Sequence, residues 1–149
     1  MKNPSIKTLR KKLKKVCHEY IRKRDCGGAR HKGKCCTCGK PLMWNSPSAN
    51  AGHFVAVGTA TQGTEYDERN MNLQCVYCNN WGEGKKPEYS LFLIAKYGQG
   101  IVEELIKQSK WSLVEFAKSI TPAPREIGED TRNAYEFLIE HYREKLDAL

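Results

Sequence analysis

The sequence predicts an α+β fold in which a basic N-terminal helix precedes a centre of short strands and helices fill the C-terminal half. Three observations predict it. Residues 5–24 repeat apolar side chains at helical spacing, and two Cys-x-x-Cys pairs, Cys35/Cys38 and Cys75/Cys78, bracket a stretch of short apolar patches. Helical patterns then resume after Pro87. At 149 residues the chain has the length of one domain with helical additions. It divides into a basic helix and loop (1–34), a cysteine-bracketed core (35–98) and a helical extension (99–149).

In the first helix Ile6, Leu9, Leu13, Val16, Cys17, Tyr20 and Ile21 recur at steps of three and four, with Lys and Arg between them. Ser5, or Asn3 ahead of Pro4, caps its start. Cys17 lies on the apolar stripe and reads as a core thiol. The charge is concentrated here: residues 1–40 hold 14 Lys/Arg and 2 Asp/Glu, whereas residues 41–149 hold 11 Lys/Arg and 15 Asp/Glu. All of the net +8 therefore comes from the first quarter of the chain. Such a focus attracts phosphate backbones. Lys11, Lys12, Lys14, Lys15, Arg22 and Arg24 are the candidate DNA contacts, and the glycine-rich loop 25–34 is a further one.

The two cysteine pairs have metal-ligand spacing. Two intervening residues let both sulfurs reach one ion from a tight turn, and four thiolates close a tetrahedral zinc site. Cys35 with Cys38 gives that spacing, whereas Cys36 with Cys38 gives a strained one, so Cys35 is the expected ligand. Gly39 suits the positive φ of a knuckle turn. Four thiolates leave zinc no open position, so its role is structural and any chemistry needs another centre. Thirty-six residues lie between Cys38 and Cys75, more than the ~15–20 of a zinc ribbon. No apolar run approaches the ~20 residues of a membrane span, and no hydrophobic region follows the N-terminal charges as in a signal peptide. A reducing cytoplasm, where thiols bind zinc rather than pair, is the expected location.

Between the knuckles, residues 41–64 read as weak strands and irregular loops around Trp44 and Phe54–Val57, and residues 65–74 are polar. Helices are expected over 88–97, ending at Gly98, over 100–109, and over 112–119 with Ser112 and Glu115 as a capping box. Thr121-Pro-Ala-Pro124 breaks the chain before a last helix over 127–148, with Tyr135, Leu138, Ile139, Tyr142 and Leu146 on one side. His18 and His31 read as surface residues, with phosphate contact as the alternative for either, His141 as ordinary surface, and Trp81 as a core side chain.

Three short motifs stand out: Ala-Gly-His53-Phe, Asp67-Glu-Arg-Asn70, and Gln74-Cys-x-x-Cys-Asn79. Together with Ile21-Arg-Lys-Arg-Asp25, Cys35-x-x-Cys-Gly39, Tyr89 and Lys96-Tyr-Gly98, they resemble the bacteriophage NinG/Rap recombination proteins over residues 6–108. More broadly they resemble the HNH, or His-Me finger, nucleases, including phage endonuclease VII. The resemblance implies a zinc-stapled ββα-metal core around one divalent ion, Mg²⁺ or Mn²⁺. It implies His53 as the general base, a role suited to imidazole. It implies Asn70 as the residue that holds the histidine ring, and Asn79 as a ligand of the catalytic ion. Many HNH nucleases place Asp or His before the base, where this chain has Gly52. Asp67 and Glu68 are the alternative carboxylate ligands, with Glu68 favoured; salt bridges to Arg69 or nearby lysines are the competing role for both.

The resemblance thus implies an endodeoxyribonuclease acting on branched DNA, such as Holliday junctions and D-loops, in phage recombination inside the bacterial host. A homodimer would suit a junction with two strands to cut, and the apolar stripe of helix 5–24 or 127–148 could form it. Two other readings stay open: a non-catalytic, zinc-folded binder of branched or duplex DNA, favoured by Gly52, and an HNH nuclease that nicks ordinary duplex.

Overall fold

The computed structural model describes residues 2–58 and 61–149; residues 59 and 60 of the expected strand-and-loop stretch lie outside them. Helix α1 spans Ile6–Asp25, and the Thr8 N–H donates to Ser5 Oγ at 3.1 Å, so Ser5 is the cap. Two antiparallel pairs follow. Strands β1 (Lys32–Lys34) and β2 (Pro41–Met43) pair with Gly33 opposite Leu42. Strands β3 (Ala49–His53) and β4 (Met71–Cys75) pair with Ala49 opposite Cys75 and His53 opposite Met71. The apolar run Phe54–Val57 lies just beyond β3 and is not a strand.

Strand β4 runs through a stretch whose polarity gave no strand signal. All five of its residues are buried. Asn72 Nδ2 donates to the Tyr89 hydroxyl at 3.2 Å, and Arg24 and Lys96 both donate to Asn72 Oδ1 at 3.1 Å. Gln74 Nε2 donates to Thr37 Oγ1 and to the Gly84 carbonyl. Buried amides are tolerated when they are hydrogen-bonded, and these two tie β4 to α1, the first knuckle and the helices beyond.

A π-helical turn, Tyr77–Trp81, carries the second knuckle into α2 (Lys86–Tyr97), which ends at Gly98 with φ 100°. Helices α3 (Ile101–Gln108) and α4 (Leu113–Ile120) follow, the latter opened by the expected capping box. Pro124–Ile127 forms a short helix, α5, which Gly128 closes at φ 60°. The last helix, α6, therefore starts at Thr131 rather than 127, capped by Asp130, and runs to Asp147.

Helices α1 and α6 pack on each other. Leu9, Leu13, Cys17, Tyr20 and Ile21 share one buried cluster with Tyr135, Leu138, Ile139 and Tyr142. The two stripes offered above as dimer surfaces are thus spent within one chain. Burial of each such aliphatic side chain contributes about 1.5–3 kcal/mol, so neither stripe is left for a second copy. A second cluster surrounds the knuckles (Cys26, Cys35, Leu42, Ala49, Leu73, Cys75, Cys78). A third joins α2 to α3 through Tyr89, Leu93, Ile101 and Leu105. Among the described residues no helix is long and apolar enough to cross a membrane.

Candidate functional site

The four expected cysteines converge. The sulfurs of Cys35, Cys38, Cys75 and Cys78 all lie within 4.8 Å of one another, and Cys38 and Cys75 are 3.8 Å apart. Zn–S bonds of about 2.3 Å at tetrahedral angles put sulfurs roughly 3.8 Å apart, so the quartet fits a structural metal such as zinc. Burial pushes the Cys35 thiol up, but hydrogen bonds from Thr37 and neighbouring amides hold it down, at about 6. Cys36 turns away and packs beside Phe54 and the α2–α3 cluster.

The β3–β4 pair has this quartet at one end, where Cys75 faces Ala49, and His53 at the other. Three contacts fix the histidine. Lys86 Nζ donates to the His53 carbonyl at 2.8 Å, Phe54 N–H donates to the Asn70 carbonyl at 2.9 Å, and His53 Nε2 lies 2.8 Å from the Glu65 carbonyl. A carbonyl only accepts, so a neutral His53 carries its proton on Nε2 and leaves Nδ1 as an acceptor. Burial, helped by Lys86 and Lys14, lowers the His53 pKa below the ordinary imidazole value against the opposing pull of Glu65.

Asn70 is fully buried and does not bond the His53 ring. Its Oδ1 accepts from Val55 N–H at 2.7 Å, and its Nδ2 donates to the Val55 and Thr64 carbonyls at 3.1 and 3.0 Å. It therefore clamps both ends of the excursion after His53 and sets the Glu65 carbonyl against the ring.

His53 faces a cleft of about 630 Å³. One wall is α1, which presents Lys7, Lys11, Lys14, His18 and Arg22 at steps of three and four, with Arg10 at the edge. The other walls hold Asn50, Glu65, Asn79 and Asn80. His18, expected at the surface, stands with its ring 5.5 Å from that of His53; burial, then His53, Lys14 and Arg22 lower its pKa to about 3. The carboxylate in this cleft is Glu65, which accepts from Arg10 at 3.2 Å and from Gln62 at 3.0 Å. A smaller hollow beside it joins His53 and Asn79 to Glu83 and Lys86.

Several candidates lie elsewhere. Glu68 accepts from Tyr20 at 2.9 Å and Lys145 at 2.6 Å, and Asp67 is buried against Arg69 and Gln108; both line a separate cleft of about 570 Å³. Both carboxylates are held in ion pairs in that cleft, which His53 does not line. Arg24 is likewise internal, bonded to Asp25, the Glu68 and Met71 carbonyls and Asn72. Lys12 faces α6, while Lys15 joins Lys11, Lys14 and Arg22 on a shallow basic surface beside the main cleft. Trp81 is 77% exposed, not a core side chain.

Gly52 has a packing reason. A Cβ there would meet Gln74 Oε1 at 2.2 Å and Gln74 Cβ at 2.9 Å, and its carbonyl accepts from the buried Tyr89 hydroxyl at 2.6 Å. No side chain, and so no ligand, fits at this position. Sequence reasoning missed Glu65 and favoured a surface role for His18 over the phosphate contact it also offered. Glu65 carries no motif, and the signal for His18 was its place in the 7, 11, 14, 18, 22 stripe on one helix face.

Comparison with known proteins bears on residues 2–129, which match the family model described as Bacteriophage Lambda NinG protein. The chain belongs to the NinG family. The match runs past the 6–108 of the motif resemblance, through α4 and α5, and leaves α6 outside. Protein ninG of Escherichia phage 933W is 30% identical over 127 residues, covering 83% of this chain and 58% of that protein. The ninG proteins of Escherichia phage lambda and Salmonella phage P22 are each 29% identical over 127 residues. The chain thus matches under two thirds of the length of these NinG relatives, 57% and 58% of the lambda and P22 proteins, with the same 83% of this chain. No solved structure matches it.

Proposed function

We propose that this chain is a divalent-metal-dependent DNA endonuclease selective for branched DNA, such as Holliday junctions and D-loops, acting in phage recombination. The observation that carries the reading is His53: its Nε2 is held by a backbone carbonyl, and its ring borders a cleft walled by cationic side chains. A neutral imidazole with a fixed tautomer is what a general base needs near neutral pH.

In this mechanism Lys7, Lys11, Lys14 and Arg22 hold the phosphodiester, since phosphate contacts position the backbone without reading sequence. His53 Nδ1 takes a proton from the attacking water, whose oxygen bonds to phosphorus as the P–O3′ bond breaks. Asn79, with Glu65 or Glu83 from the adjoining walls, offers the hard oxygen donors that Mg²⁺ or Mn²⁺ takes. When bound there, the ion supplies charge stabilisation at the phosphate. This core arrangement, an antiparallel pair, a turn bearing Asn79 and then a helix, is the one the resemblance to His-Me finger nucleases leads us to read as ββα-metal.

The test is cleavage of a labelled four-way junction beside matched linear duplex, with Mg²⁺ or Mn²⁺, for wild type and His53→Ala. Ion-dependent cutting of the junction that His53→Ala abolishes is the expected result. Equal cutting of both substrates removes the branch selectivity. Binding without cleavage under any ion leaves a zinc-folded DNA-binding protein.

A further inference from the structure

The π-helical turn Tyr77–Trp81 begins inside the second knuckle, and one side of this turn is already in use: Asn79 and Asn80 line the basic cleft. The other side carries two aromatic rings into solvent. Trp81 is 77% exposed and Tyr77 62%, the two most exposed aromatic side chains among the described residues. They are four residues apart, about one turn, and so share a face. Neither ring stacks on another aromatic side chain among the described residues; Lys85 Nζ stands 6.0 Å above the Tyr77 ring.

The backbone holds this presentation in place. The Gly82 N–H closes the wide turn on the Tyr77 carbonyl at 2.8 Å, and the Gly84 N–H bonds the Cys78 carbonyl at 2.9 Å. Glu83, Gly84 and Lys85 then run consecutively at φ 54°, 78° and 49°. Two of these are not glycines, and left-handed backbone is strained for such residues, a strain that gathers at functional sites. The turn is also anchored at its root, because Cys78 belongs to the metal-binding quartet.

We infer that Trp81, supported by Tyr77, is a stacking platform for a base whose face is freed at a DNA branch point, unpaired at a fork or D-loop and unstacked at a four-way junction, and so the residue that selects branched over continuous duplex DNA. This rests on the reading of the cleft as a nucleic-acid site. Indole faces bind bases by stacking without regard to sequence, and a paired, stacked duplex offers no free base face. Charge complementarity favours this occupant over a protein. The rings rise from a turn of asparagines and glycines with Lys85 beside Tyr77 rather than from an apolar surround. The same turn lines the basic cleft through Asn79 and Asn80, so a strand whose phosphates the α1 cations hold passes the turn that carries them.

The experiment compares wild type, Trp81→Ala and Trp81→Phe, as zinc-loaded full chains, on two labelled DNAs of equal length. One is a forked duplex with two unpaired dT arms; the other is fully paired. Stacking of one base is worth about 5- to 150-fold in affinity. Trp81→Ala is expected to lose that factor, at the lower end for one exposed ring, on the fork alone. Affinity for the duplex and the salt dependence should not change, since phosphate contacts are untouched. Trp81→Phe should keep most of the fork affinity, and the fork should quench tryptophan emission in wild type more than in Trp81→Phe.

Unchanged fork affinity in Trp81→Ala, with wild type still binding DNA, overturns the platform and leaves the cleft reading intact. So does an equal loss on fork and duplex. A wild type that binds neither DNA sinks the cleft reading, and the platform with it. A change in oligomeric mass on Trp81→Ala assigns the two rings to a second copy of the chain instead.

Discussion

His53 Nε2 lies 2.8 Å from the carbonyl of Glu65, twelve residues along the chain, and this contact determines which nitrogen of the ring can act. The same residue sends its carboxylate to Arg10 on α1. Glu65 thereby couples the ring's orientation, through its backbone, to the helix that bears the basic stripe, through its side chain. If His53 is the base, His53→Ala should lower the cleavage rate by about 10²–10⁴-fold, the usual contribution of a positioned general base. Junction affinity should stay within a few-fold of wild type, because the phosphate contacts lie on α1. Loss of binding and cleavage together would mark His53 as a structural residue.

The pH dependence follows from the direction of the histidine shifts. Burial lowers the pKa of His53, and lowers that of His18 to about 3. In the unfolded chain both titrate near 6.5. As pH falls below about 6.5 the unfolded chain binds protons that the folded chain refuses, so stability is lost, by up to about 1.4 kcal/mol per pH unit for each proton. The loss continues for His18 down to about pH 3, and His141 shifts in the same direction. Urea denaturation at pH 5 and pH 7 should show the difference, and His18→Gln should reduce it. Cleavage by a base with a lowered pKa should be flat around neutrality and fall only below the ordinary imidazole range.

Gly52→Asp, which installs the residue found before the base in many HNH nucleases, should damage the protein rather than improve it. The new Cβ would meet Gln74 at 2.2 and 2.9 Å, inside a sheet whose facing residues are buried. Overpacking costs about 1–3 kcal/mol, and an uncompensated carboxylate adds to it. A lowered melting temperature without a gain in cleavage is the expected pair of readings. A more active Gly52→Asp protein of unchanged stability would show that the space exists.

The helices were largely legible in the sequence because their signals are local. Ser5 caps α1, Ser112 and Glu115 box α4, and Gly98 ends α2 as expected. The cysteine quartet was legible because its spacing is dictated by coordination geometry. Strand β4 was not, because Asn72 and Gln74 are polar yet buried, and only their partners Arg24, Lys96, Thr37 and Gly84, distant in sequence, make that tolerable. The same cause hid the true surroundings of His53. Which of Glu65, Asp67 and Glu68 faces the cleft depends on how the segment before β4 folds back, and Lys145 and Gln108 of the C-terminal half capture the other two. Trp81 was misplaced for a related reason: an aromatic residue after a knuckle is usually packed, and here the π-helical turn puts it outside.

The metal quartet and the α1–α6 pair sit in separate buried clusters, so removing the metal should take the protein apart unevenly. Purified protein is expected to hold one zinc per chain. Cys75→Ser and Cys78→Ser should lose it, whereas Cys36→Ser should keep it, since Cys36 packs with Phe54 outside the quartet. Structural zinc contributes about 10–16 kcal/mol of apparent binding energy in zinc-finger peptides. Chelation should therefore unfold the small cluster around Leu42, Ala49 and Leu73, which has little apolar mass of its own. Helices α1 and α6 have their own interface and should persist, giving a small change in far-UV circular dichroism beside a large loss of amide protection in β3 and β4. His53 and Asn79 hang from those strands and that turn, so the His53 ring should lose its fixed environment, read as its NMR titration returning toward 6.5. A chelated protein that keeps protection in β4 would show that the metal staple is dispensable for the site.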